Sequence, residues 1–293
     1  MQKIGFIGIG NMGAPMAGHL TGVTKTLSLF DLNREAAATR AAEIGAEVAD
    51  SLADLGKDAD LVITMLPNAD VVAHVLLSRG GLAEALPEGA LVVDMSSSFP
   101  PTTQATGAAL AERGCTLLDA PVSGGVKKAV TGELAIMLGG DEEAALSRAE
   151  PALSAMGRIF RTGKLGSGHA LKALNNYVSA AGLEAACEAV IVGERFGLDP
   201  KVMIAVINAS TGRNNATEVK FEPFILNGNF GSGFALDLMS KDLNAAADLA
   251  AALGLQAAHL TLSAELWAEA KEALGPGADH TEIYRFLADK AEA

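Results

Sequence analysis

A glycine-rich turn near the start of the chain constrains the fold most strongly. Gly8-Ile9-Gly10-Asn11-Met12-Gly13 follows a short apolar segment typical of a buried strand and precedes the start of a helix. In such a unit the first glycine permits the tight turn, the second lets a pyrophosphate approach the backbone, and the third lets helix and strand pack closely. Amides at the helix start can then receive the phosphates. The spacing predicts dinucleotide binding by Gly8, Gly10, Asn11, Met12 and Gly13.

An acidic residue at the end of the second predicted strand bears on the choice of cofactor. Asp31 can accept hydrogen bonds from the adenosine ribose hydroxyls, and its carboxylate would repel a 2′-phosphate. The next residue is Leu32 rather than an arginine that could clasp such a phosphate. These residues predict NAD, while the nearby Arg34 leaves NADP as the alternative.

The first half of the chain alternates short apolar strands with helices of about ten residues, which predicts a parallel sheet covered on both faces. The predicted strands are Lys3–Gly8, Thr26–Phe30, Leu61–Met65, Leu91–Met95, Thr116–Asp119 and Leu134–Leu138. The predicted helices are Met12–Leu20, Arg34–Ile44, Asp70–Leu77, Thr102–Arg113 and Glu142–Ser154. The fold class is therefore an α/β Rossmann-type domain.

After Gly163 the pattern becomes helical. One long helical segment runs from Gly168 to Phe196 and opens an all-α second domain. Further helices are predicted at Pro200–Ala209, Leu236–Leu253, Ala257–Ala273 and Thr281–Lys290. We predict a nucleotide-binding domain over residues 1–164 and a helical substrate and oligomerisation domain over residues 165–293.

Composition excludes several classes of function. No segment has the roughly 18 to 20 uncharged apolar residues that a membrane span requires, and the start lacks the features of a signal peptide, so we expect a cytoplasmic protein. A net charge of −13 argues against nucleic acid and anionic membranes as partners. Cys115 and Cys187 lie far apart, and the five histidines are scattered, so no metal site is expected.

Two further segments carry candidate chemistry. Asp119-Ala120-Pro121-Val122-Ser123-Gly124-Gly125 places a hydroxyl and two open backbone amides after a strand, which suits a carboxylate. Composition alone leaves a plain turn as the alternative. Lys172, Asn175 and Asn176 stand at i, i+3 and i+4 and so project from one face of the long helix. A lysine and two amides among apolar neighbours are unusual for a purely structural face.

These segments together make the sequence resemble the β-hydroxyacid dehydrogenase family, which includes the 3-hydroxyisobutyrate dehydrogenases and tartronate semialdehyde reductases. The resemblance covers nearly the whole chain. The motifs that carry it are Phe6–Gly13, Met65-Leu66-Pro67, Asp94-Met95-Ser96-Ser97, Asp119–Gly125, Gly132-Glu133-Leu134, Gly139-Gly140, Lys172 with Asn175, and Lys241-Asp242.

The resemblance implies a role for each matching residue. Lys172 would be catalytic, Asn175 would hold the substrate beside Asn176, and Ser123, Gly124 and Gly125 would receive its carboxylate. Cofactor-lining positions would be Leu66, Pro67, Ser97 and Lys241. Members form homodimers or homotetramers through the helical domain. A lysine suits acid/base work when burial beside the positive nicotinamide ring lowers its pKa toward the working pH.

Some positions depart from the common pattern. Ser98-Phe99-Pro100-Pro101 replaces the usual Ile-x-Pro, and Lys127-Lys128 occupies a variable loop where surface charges are the simpler interpretation. Arg213 could meet a second substrate charge or could be solvated.

The residues argue against three alternatives to a β-hydroxyacid dehydrogenase. Imine reductases lack the lysine, and the 6-phosphogluconate enzymes carry an extra histidine and a longer helical domain. A non-catalytic dinucleotide-binding module is disfavoured by the intact set of Ser123, Lys172, Asn175 and Lys241. The implied substrate is a small β-hydroxy acid or its semialdehyde. 3-Hydroxyisobutyrate, 3-hydroxypropionate, glycerate, serine and threonine-like amino acids all stay open.

Overall fold

The strand that leads into the glycine turn lies in the interior of a nine-stranded sheet in the computed structural model, which describes residues 1–292. β1 (Lys3–Ile7) pairs in parallel with β2 (Thr26–Phe30) on one side and with β4 (Leu61–Thr64) on the other. The remaining strands are β3 (Glu47–Val48), β5 (Leu91–Asp94), β6 (Thr116–Asp119), β7 (Val122–Ser123), β8 (Leu134–Gly139) and β9 (Gly157–Gly163). Strand order reverses beside β1, the point at which doubly wound sheets bind their ligands.

The predicted parallel sheet is present from β1 to β6, but the sheet becomes mixed at one edge. Its strand order is β3-β2-β1-β4-β5-β6-β8-β7, with β9 also paired to β8. β8 runs antiparallel to β6 and β7, whereas β9 runs parallel to β8. The segment joining β7 to β8 is shorter than the dozen or more residues that a parallel crossover requires, so the chain returns in the opposite direction. The predicted parallel sheet is therefore extended at this edge by antiparallel pairs that the sequence did not predict.

Apolar residues on successive positions of the central strands point to opposite faces of the sheet. Ile63 lies in one buried cluster with Phe6, and its neighbour Val62 lies in a second cluster with Ile7. Both faces are therefore covered, which explains why these strands are uniformly hydrophobic. The helices of this part are α1 (Gly13–Gly18), α2 (Arg34–Ile44), α3 (Leu52–Gly56), α4 (Ala69–Leu77), α5 (Pro100–Ala111), α6 (Gly125–Thr131) and α7 (Glu143–Ser154).

The second half is helical, as the sequence predicts. Its helices are α8 (Ser167–Phe196), α9 (Pro200–Asn208), α10 (Asn215–Val219), α11 (Leu236–Ala252), α12 (Ala258–Leu274) and α13 (Ile283–Lys290), with a short π-helical turn at Phe221–Ile225. Trp267 is fully buried in their common core. Glu184 of α8 accepts hydrogen bonds from Ser263 Oγ at 2.8 Å and from Trp267 Nε1, which ties α8 to α12. Burial raises the pKa of the Glu184 carboxyl.

The chain divides into two compact units, the first formed by Met1–Lys172 and the second beginning at Ala173. The predicted boundary after residue 164 lies at the turn just before α8, whereas the first unit continues through the opening turns of that helix. The long helix that opens the second half is thus shared between the units.

Short elements with weak sequence signals escaped prediction. They are β3, α3, β7, α6, β9 and α10. β9 illustrates the reason, because its residues are mostly exposed and its alternation of apolar side chains is correspondingly faint. No helix within residues 1–292 is both long and apolar enough to cross a membrane.

Candidate active site

Two of the three motif glycines are required by the packing of the turn itself. Gly8 has a φ of +100°, and a Cβ there would lie 2.2 Å from the carbonyl oxygen of Met65. A Cβ on Gly13 would lie 1.8 Å from the carbonyl oxygen of Gly8. Any side chain at either position would displace backbone, so both glycines build the strand–turn–helix unit.

Gly10 differs from its two neighbours in the motif. It is exposed, its φ lies outside the left-handed region, and a Cβ there would have nothing within 4 Å. The packing of the chain therefore gives no reason for a glycine at this position. A bare backbone opening onto free space fits the close approach of a pyrophosphate. Asn11 is exposed and Met12 is half-buried beside it, so the turn has the form that a dinucleotide cofactor needs.

Asp31 is hydrogen-bonded to the backbone of the glycine turn. Its Oδ2 accepts a hydrogen bond from the Ile9 amide at 2.7 Å, and its Oδ1 accepts one from the Asn33 amide at 2.7 Å. Each carboxylate oxygen retains a further lone pair for a hydroxyl donor. The carboxylate is half-buried at the end of β2, which agrees with the predicted position.

Arg34, the residue that left NADP open, is engaged elsewhere. Its guanidinium donates to the carbonyl oxygens of Ala49, at 2.9 Å, and of Asp50. It also lies 5.2 Å from the centre of the Phe30 ring. The arginine therefore holds the loop after β3 against β2, and Leu32 beside it is almost fully exposed.

The other predicted cofactor residues follow the ends of neighbouring strands. Leu66 and Pro67 follow β4, and Ser97 follows β5, so all lie at the edge of the sheet that carries the glycine turn. The Leu66 amide donates to the Ser96 hydroxyl at 2.8 Å, which links these two loops. Parallel strands thus bring together segments distant in sequence, as the fold requires.

The Ser123-Gly124-Gly125 segment forms the turn between β7 and α6. Gly124 has a φ of +135° and Gly125 a φ of +65°, and both are exposed. A Cβ on Gly124 would lie 2.7 to 3.1 Å from three carbons of the Lys128 side chain. The stem of Lys128 therefore lies across this turn, although the sequence had suggested a plain surface charge.

Lys172 is half-buried on α8, and Asn175 is exposed one turn later on the same face. Asn176, by contrast, is buried, and its amide donates to Asp242 Oδ2 at 2.6 Å. The Asn175 amide in turn donates to Asn176 Oδ1 at 3.2 Å. The two asparagines predicted to hold substrate therefore differ, since Asn175 is exposed whereas Asn176 is buried and bonded to Asp242 of α11.

Two cations predicted at the site lie in the helical unit. Lys241 is half-buried on α11, with Nζ 3.6 Å from Asp242 Oδ1. Arg213 is exposed in the loop before α10, and its Nε lies 3.6 Å from Glu218 Oε1. An exposed arginine with a carboxylate beside it has the solvated character that the sequence left as one of two possibilities.

The structure also contains a polar cluster that the sequence interpretation missed. Asp94, Asp119 and His169 are all at most 1% exposed and lie together within the first unit. Burial raises the pKa of the Asp119 carboxyl, against the opposing effects of His169 and of two backbone donors. The signal in the sequence was weak, since both aspartates lie in motifs that carry the family resemblance but His169 is one of five scattered histidines.

The cysteines and the acidic residues give no sign of other chemistry. Burial raises the pKa of both the Cys115 and the Cys187 thiols, which keeps them protonated and unreactive. Within residues 1–292 no group of three or more histidine, cysteine, aspartate or glutamate side chains could hold a metal ion.

A cavity of about 400 Å³ lies beside α5 and β6. Its lining includes Gln104, Gly107, Cys115, Asp141 and Lys164, and none of the predicted site residues. Its volume alone therefore does not identify the active site. The loops at the carboxyl ends of the parallel strands remain the better candidate for the active site, because they contain the glycine turn and the predicted cofactor residues after β4 and β5.

A Rossmann-type sheet with a dinucleotide turn, followed by a helical unit, defines a class of NAD(P)-dependent oxidoreductases. Residues 3–166 match the NAD-binding domain of 6-phosphogluconate dehydrogenase, and residues 166–287 match a domain described as the NAD-binding domain of NADP-dependent 3-hydroxyisobutyrate dehydrogenase.

Similar proteins of known name agree with these matches. The chain is 40% identical to 2-(hydroxymethyl)glutarate dehydrogenase of Eubacterium barkeri, over 83% of this chain and 81% of that protein. It is 39% identical to the NAD-dependent L-serine dehydrogenase of Pseudomonas aeruginosa, over 86% of each. The solved structure of Mycobacterium tuberculosis 3-hydroxyisobutyrate dehydrogenase with L-serine superposes with a TM-score of 0.89 at 35% identity, covering 98% of this chain and 99% of that one.

The chain belongs to the β-hydroxyacid dehydrogenase family of the 3-hydroxyisobutyrate dehydrogenases. It is an NAD(P)-dependent dehydrogenase acting on a CH–OH group. The family and the fold class predicted from the sequence are thereby confirmed.

Proposed function

We propose that this enzyme is an NAD-dependent dehydrogenase of a small β-hydroxy acid of the 3-hydroxyisobutyrate type, with Lys172 as general acid and base. The observation that carries the proposal is the placement of Lys172 and Asn175 on one face of α8, half-buried and exposed respectively. The same chain also holds a hydroxyl-bearing glycine turn suited to a carboxylate.

Lys172 supplies the proton that the reaction needs. Oxidising the alcohol requires removal of the hydroxyl proton, and reducing the aldehyde requires its return to the resulting oxygen. The bound nicotinamide supplies the hydride chemistry. A lysine on a regular helix is well suited to this work, because its position is fixed by the backbone while its four-carbon stem allows approach to the oxygen.

The substrate carboxylate is assigned to the turn at Ser123-Gly124-Gly125. The Ser123 side chain is half-buried, and the glycines leave the backbone amides uncovered. In a protein with a net charge of −13, an anion must be held by local donors of this kind. We assign Asn175 to the substrate and Asn176 to the support of Asn175, because the Asn176 amide is committed to Asp242.

NAD rather than NADP is favoured by the surroundings of Asp31. Its carboxylate would repel a 2′-phosphate, and Leu32 offers no hydrogen-bond donor from its side chain. The Arg34 guanidinium is occupied by the carbonyl oxygens of Ala49 and Asp50. A 2′-phosphate would therefore meet negative charge without a ready cation.

A second substrate class is favoured by Lys128. Its stem crosses Gly124, and the residue is exposed. A β-hydroxy acid with a second carboxylate could use this cation. The relative named 2-(hydroxymethyl)glutarate dehydrogenase is compatible with that class, and the relative named L-serine dehydrogenase keeps β-hydroxy amino acids as a further alternative.

Assembly into a homodimer or homotetramer is proposed on the exposed apolar side chains of the helical unit. Val178, Val192 and Phe196 of α8 are 67 to 83% exposed, and Val202 and Val206 of α9 are also exposed. A monomer that leaves such groups in water gains by covering them with a second copy. Light scattering coupled to size exclusion should give at least a dimer; a monomer at micromolar concentration would contradict this.

The substrate proposal is tested by following NADH formation with a panel of acids. The panel contains 3-hydroxyisobutyrate, 3-hydroxypropionate, glycerate, 2-(hydroxymethyl)glutarate, L-serine and L-threonine, each with NAD⁺ and with NADP⁺. We expect turnover of at least one β-hydroxy monocarboxylate or dicarboxylate with NAD⁺. Purified enzyme that is folded, binds NADH and turns over none of them would instead favour a non-catalytic module.

The role of Lys172 is tested by Lys172→Ala beside Lys201→Ala, an exposed lysine on α9. Loss of the proton donor should lower kcat by about 10²- to 10⁴-fold, while the Kd for NADH stays within error. Lys201→Ala should behave like the parent enzyme. Comparable turnover in Lys172→Ala would overturn the assignment.

A further inference from the structure

Two buried carboxylates stand side by side at the ends of neighbouring strands in the first unit. Asp94 ends β5 and Asp119 ends β6, and the two residues are partners in the register of this parallel pair. Asp94 is 1% and Asp119 0% exposed. The His169 ring lies between them, with Nε2 3.6 Å from Asp94 Oδ2 and Nδ1 3.7 Å from Asp119 Oδ2. Such a group is costly to bury and therefore calls for an explanation.

Asp94 organises the loop that contains the predicted cofactor residue Ser97. Its Oδ1 accepts hydrogen bonds from the Thr64 hydroxyl at 2.9 Å and from the Ser96 amide at 3.0 Å. Its Oδ2 accepts a hydrogen bond from the Ser98 hydroxyl at 2.8 Å. The residues on either side of Ser97 are thus fixed by one carboxylate.

Asp119 organises the first turn of α8. Its Oδ1 accepts from the Gly166 amide and its Oδ2 from the His169 amide, each at 2.8 Å. These amides have no partner within a helix at its start, and a negative charge there is also favoured by the helix dipole. Asp119 therefore holds the beginning of the helix, and four residues later its own strand leads into Ser123.

His169 joins the two carboxylates and belongs to the same helix as Lys172. Its Nδ1 lies 2.9 Å from the Thr103 hydroxyl of α5, while its Nε2 has no hydrogen-bond partner within the part of the chain that the structure describes. Lys172 follows three residues later, one turn along the same face. An apolar ring would fill this place without an unpaired buried nitrogen, but it would remove the group that lies within 3.7 Å of both carboxylates. His169 therefore connects the two carboxylates as well as filling the space.

We propose that Asp94, His169 and Asp119 form a positioning assembly that fixes the opening turns of α8, residues 167–172, against the ends of β5 and β6 and so places the Lys172 ammonium for proton transfer. The three residues do not touch substrate; they act through Lys172. The same assembly fixes the Ser97 loop and precedes the Ser123 turn, so it keeps three parts of the site in register. The proposal rests on the acid/base role of Lys172 proposed above.

The decisive variant is His169→Phe, which preserves ring packing but removes both nitrogens. We expect kcat to fall at least tenfold, with the KM of the acid and the Kd of NADH within threefold of the parent values. The matched control is His280→Phe, since His280 is also buried, at 4% exposure, but lies in the helical unit and bonds to Ser232. That control should alter thermal stability without lowering kcat tenfold.

Two conservative variants separate positioning from simple loss of structure. His169→Asn retains a polar atom near the position of Nδ1, and His169→Gln retains one near Nε2, so each should recover part of the kcat lost in His169→Phe. If His169→Phe does not fold, the proposal is tested by comparing kcat of His169→Asn and His169→Gln with that of the parent enzyme. Parent kcat in all folded variants would overturn the proposal, as would losses of kcat no larger than those of His280→Phe.

A double-mutant cycle distinguishes this proposal from the function on which it rests. If His169 acts through Lys172, adding His169→Phe to Lys172→Ala should leave the residual rate unchanged within threefold. An equal further loss in that background would show an independent effect and contradict the proposal. Full turnover in Lys172→Ala alone would refute the proposed role of Lys172, whereas a dead Lys172→Ala with an unaffected His169→Phe would refute only the positioning role.

Discussion

The two glycine turns of the first unit use the same residue for different physical reasons. In the turn from Gly8 to Gly13, two glycines are forced by neighbouring backbone atoms, and one opens onto free space. In the Ser123–Gly125 turn, both glycines have positive φ, and the atoms that crowd Gly124 belong to the flexible side chain of Lys128. The first turn is thus closely packed at Gly8 and Gly13 and open at Gly10. The second turn needs glycine for its backbone angles, while the Lys128 side chain beside Gly124 can move aside.

The largest effect is expected from Gly13→Ala, which attacks the rigid part of the first turn. The new Cβ would lie 1.8 Å from the Gly8 carbonyl oxygen, and backbone cannot move aside as a side chain can. We expect a loss of about 3 kcal/mol in the free energy of unfolding, which lowers Tm by about 6 to 12 °C. Calorimetry without cofactor measures this. An unchanged Tm would show that the turn is more adaptable than the comparison states.

Gly10→Ala tests the open position of the same turn. Its Cβ meets nothing within 4 Å, so the Tm of the cofactor-free enzyme should not change. A methyl group where the pyrophosphate approaches should raise the Kd of NADH by about ten- to a hundredfold. Fluorescence titration gives the Kd. A lower Tm with an unchanged Kd for NADH would show that Gly10, like Gly13, is required by packing and not by the cofactor.

Asp31→Asn tests the carboxylate that accepts a hydrogen bond from the first turn. Removing the negative charge should raise the ratio of kcat/KM for NADP⁺ over that for NAD⁺ by about tenfold, equal to about 1.4 kcal/mol. An asparagine oxygen can still accept the Ile9 hydrogen bond, so the turn itself should survive. A ratio above one in the parent enzyme would contradict the proposed NAD preference.

The smallest effect is expected at the adaptable second turn. Lys128→Ala removes an exposed cation from beside Gly124 and should raise KM for a β-hydroxy dicarboxylate by about two- to fivefold, with less change for a monocarboxylate. Lys127→Ala is the matched control, because Lys127 is equally exposed but does not cross Gly124. Equal changes in KM for the two substitutions would show that Lys128 acts only as a general surface charge.

Much of the fold was accessible from the sequence because its signals are local. The strand, glycine turn and helix at residues 3–18 lie next to one another, and the start of α8 was predicted within one residue. The direction of β8 could not be predicted, since it depends on how the short segment after β7 brings the chain back beside that strand. Arg34 likewise gave no hint that it would bind the carbonyl oxygens of Ala49 and Asp50.

What the sequence by itself determined was the dinucleotide turn, because its residues lie close together in the chain, and the family, because short motifs along nearly the whole chain match it. The candidate roles of Lys172, Asn175 and Ser123 follow from that resemblance. Only the tertiary structure decided that Asp94, Asp119 and His169 form one buried cluster. Asp119 and His169 are 50 residues apart, and neither residue type signals burial. The parallel pairing of β5 with β6 brings the two aspartates together, and α8 then delivers the histidine between them. Contacts of this kind are set by the packing of distant segments, which no short stretch of sequence encodes.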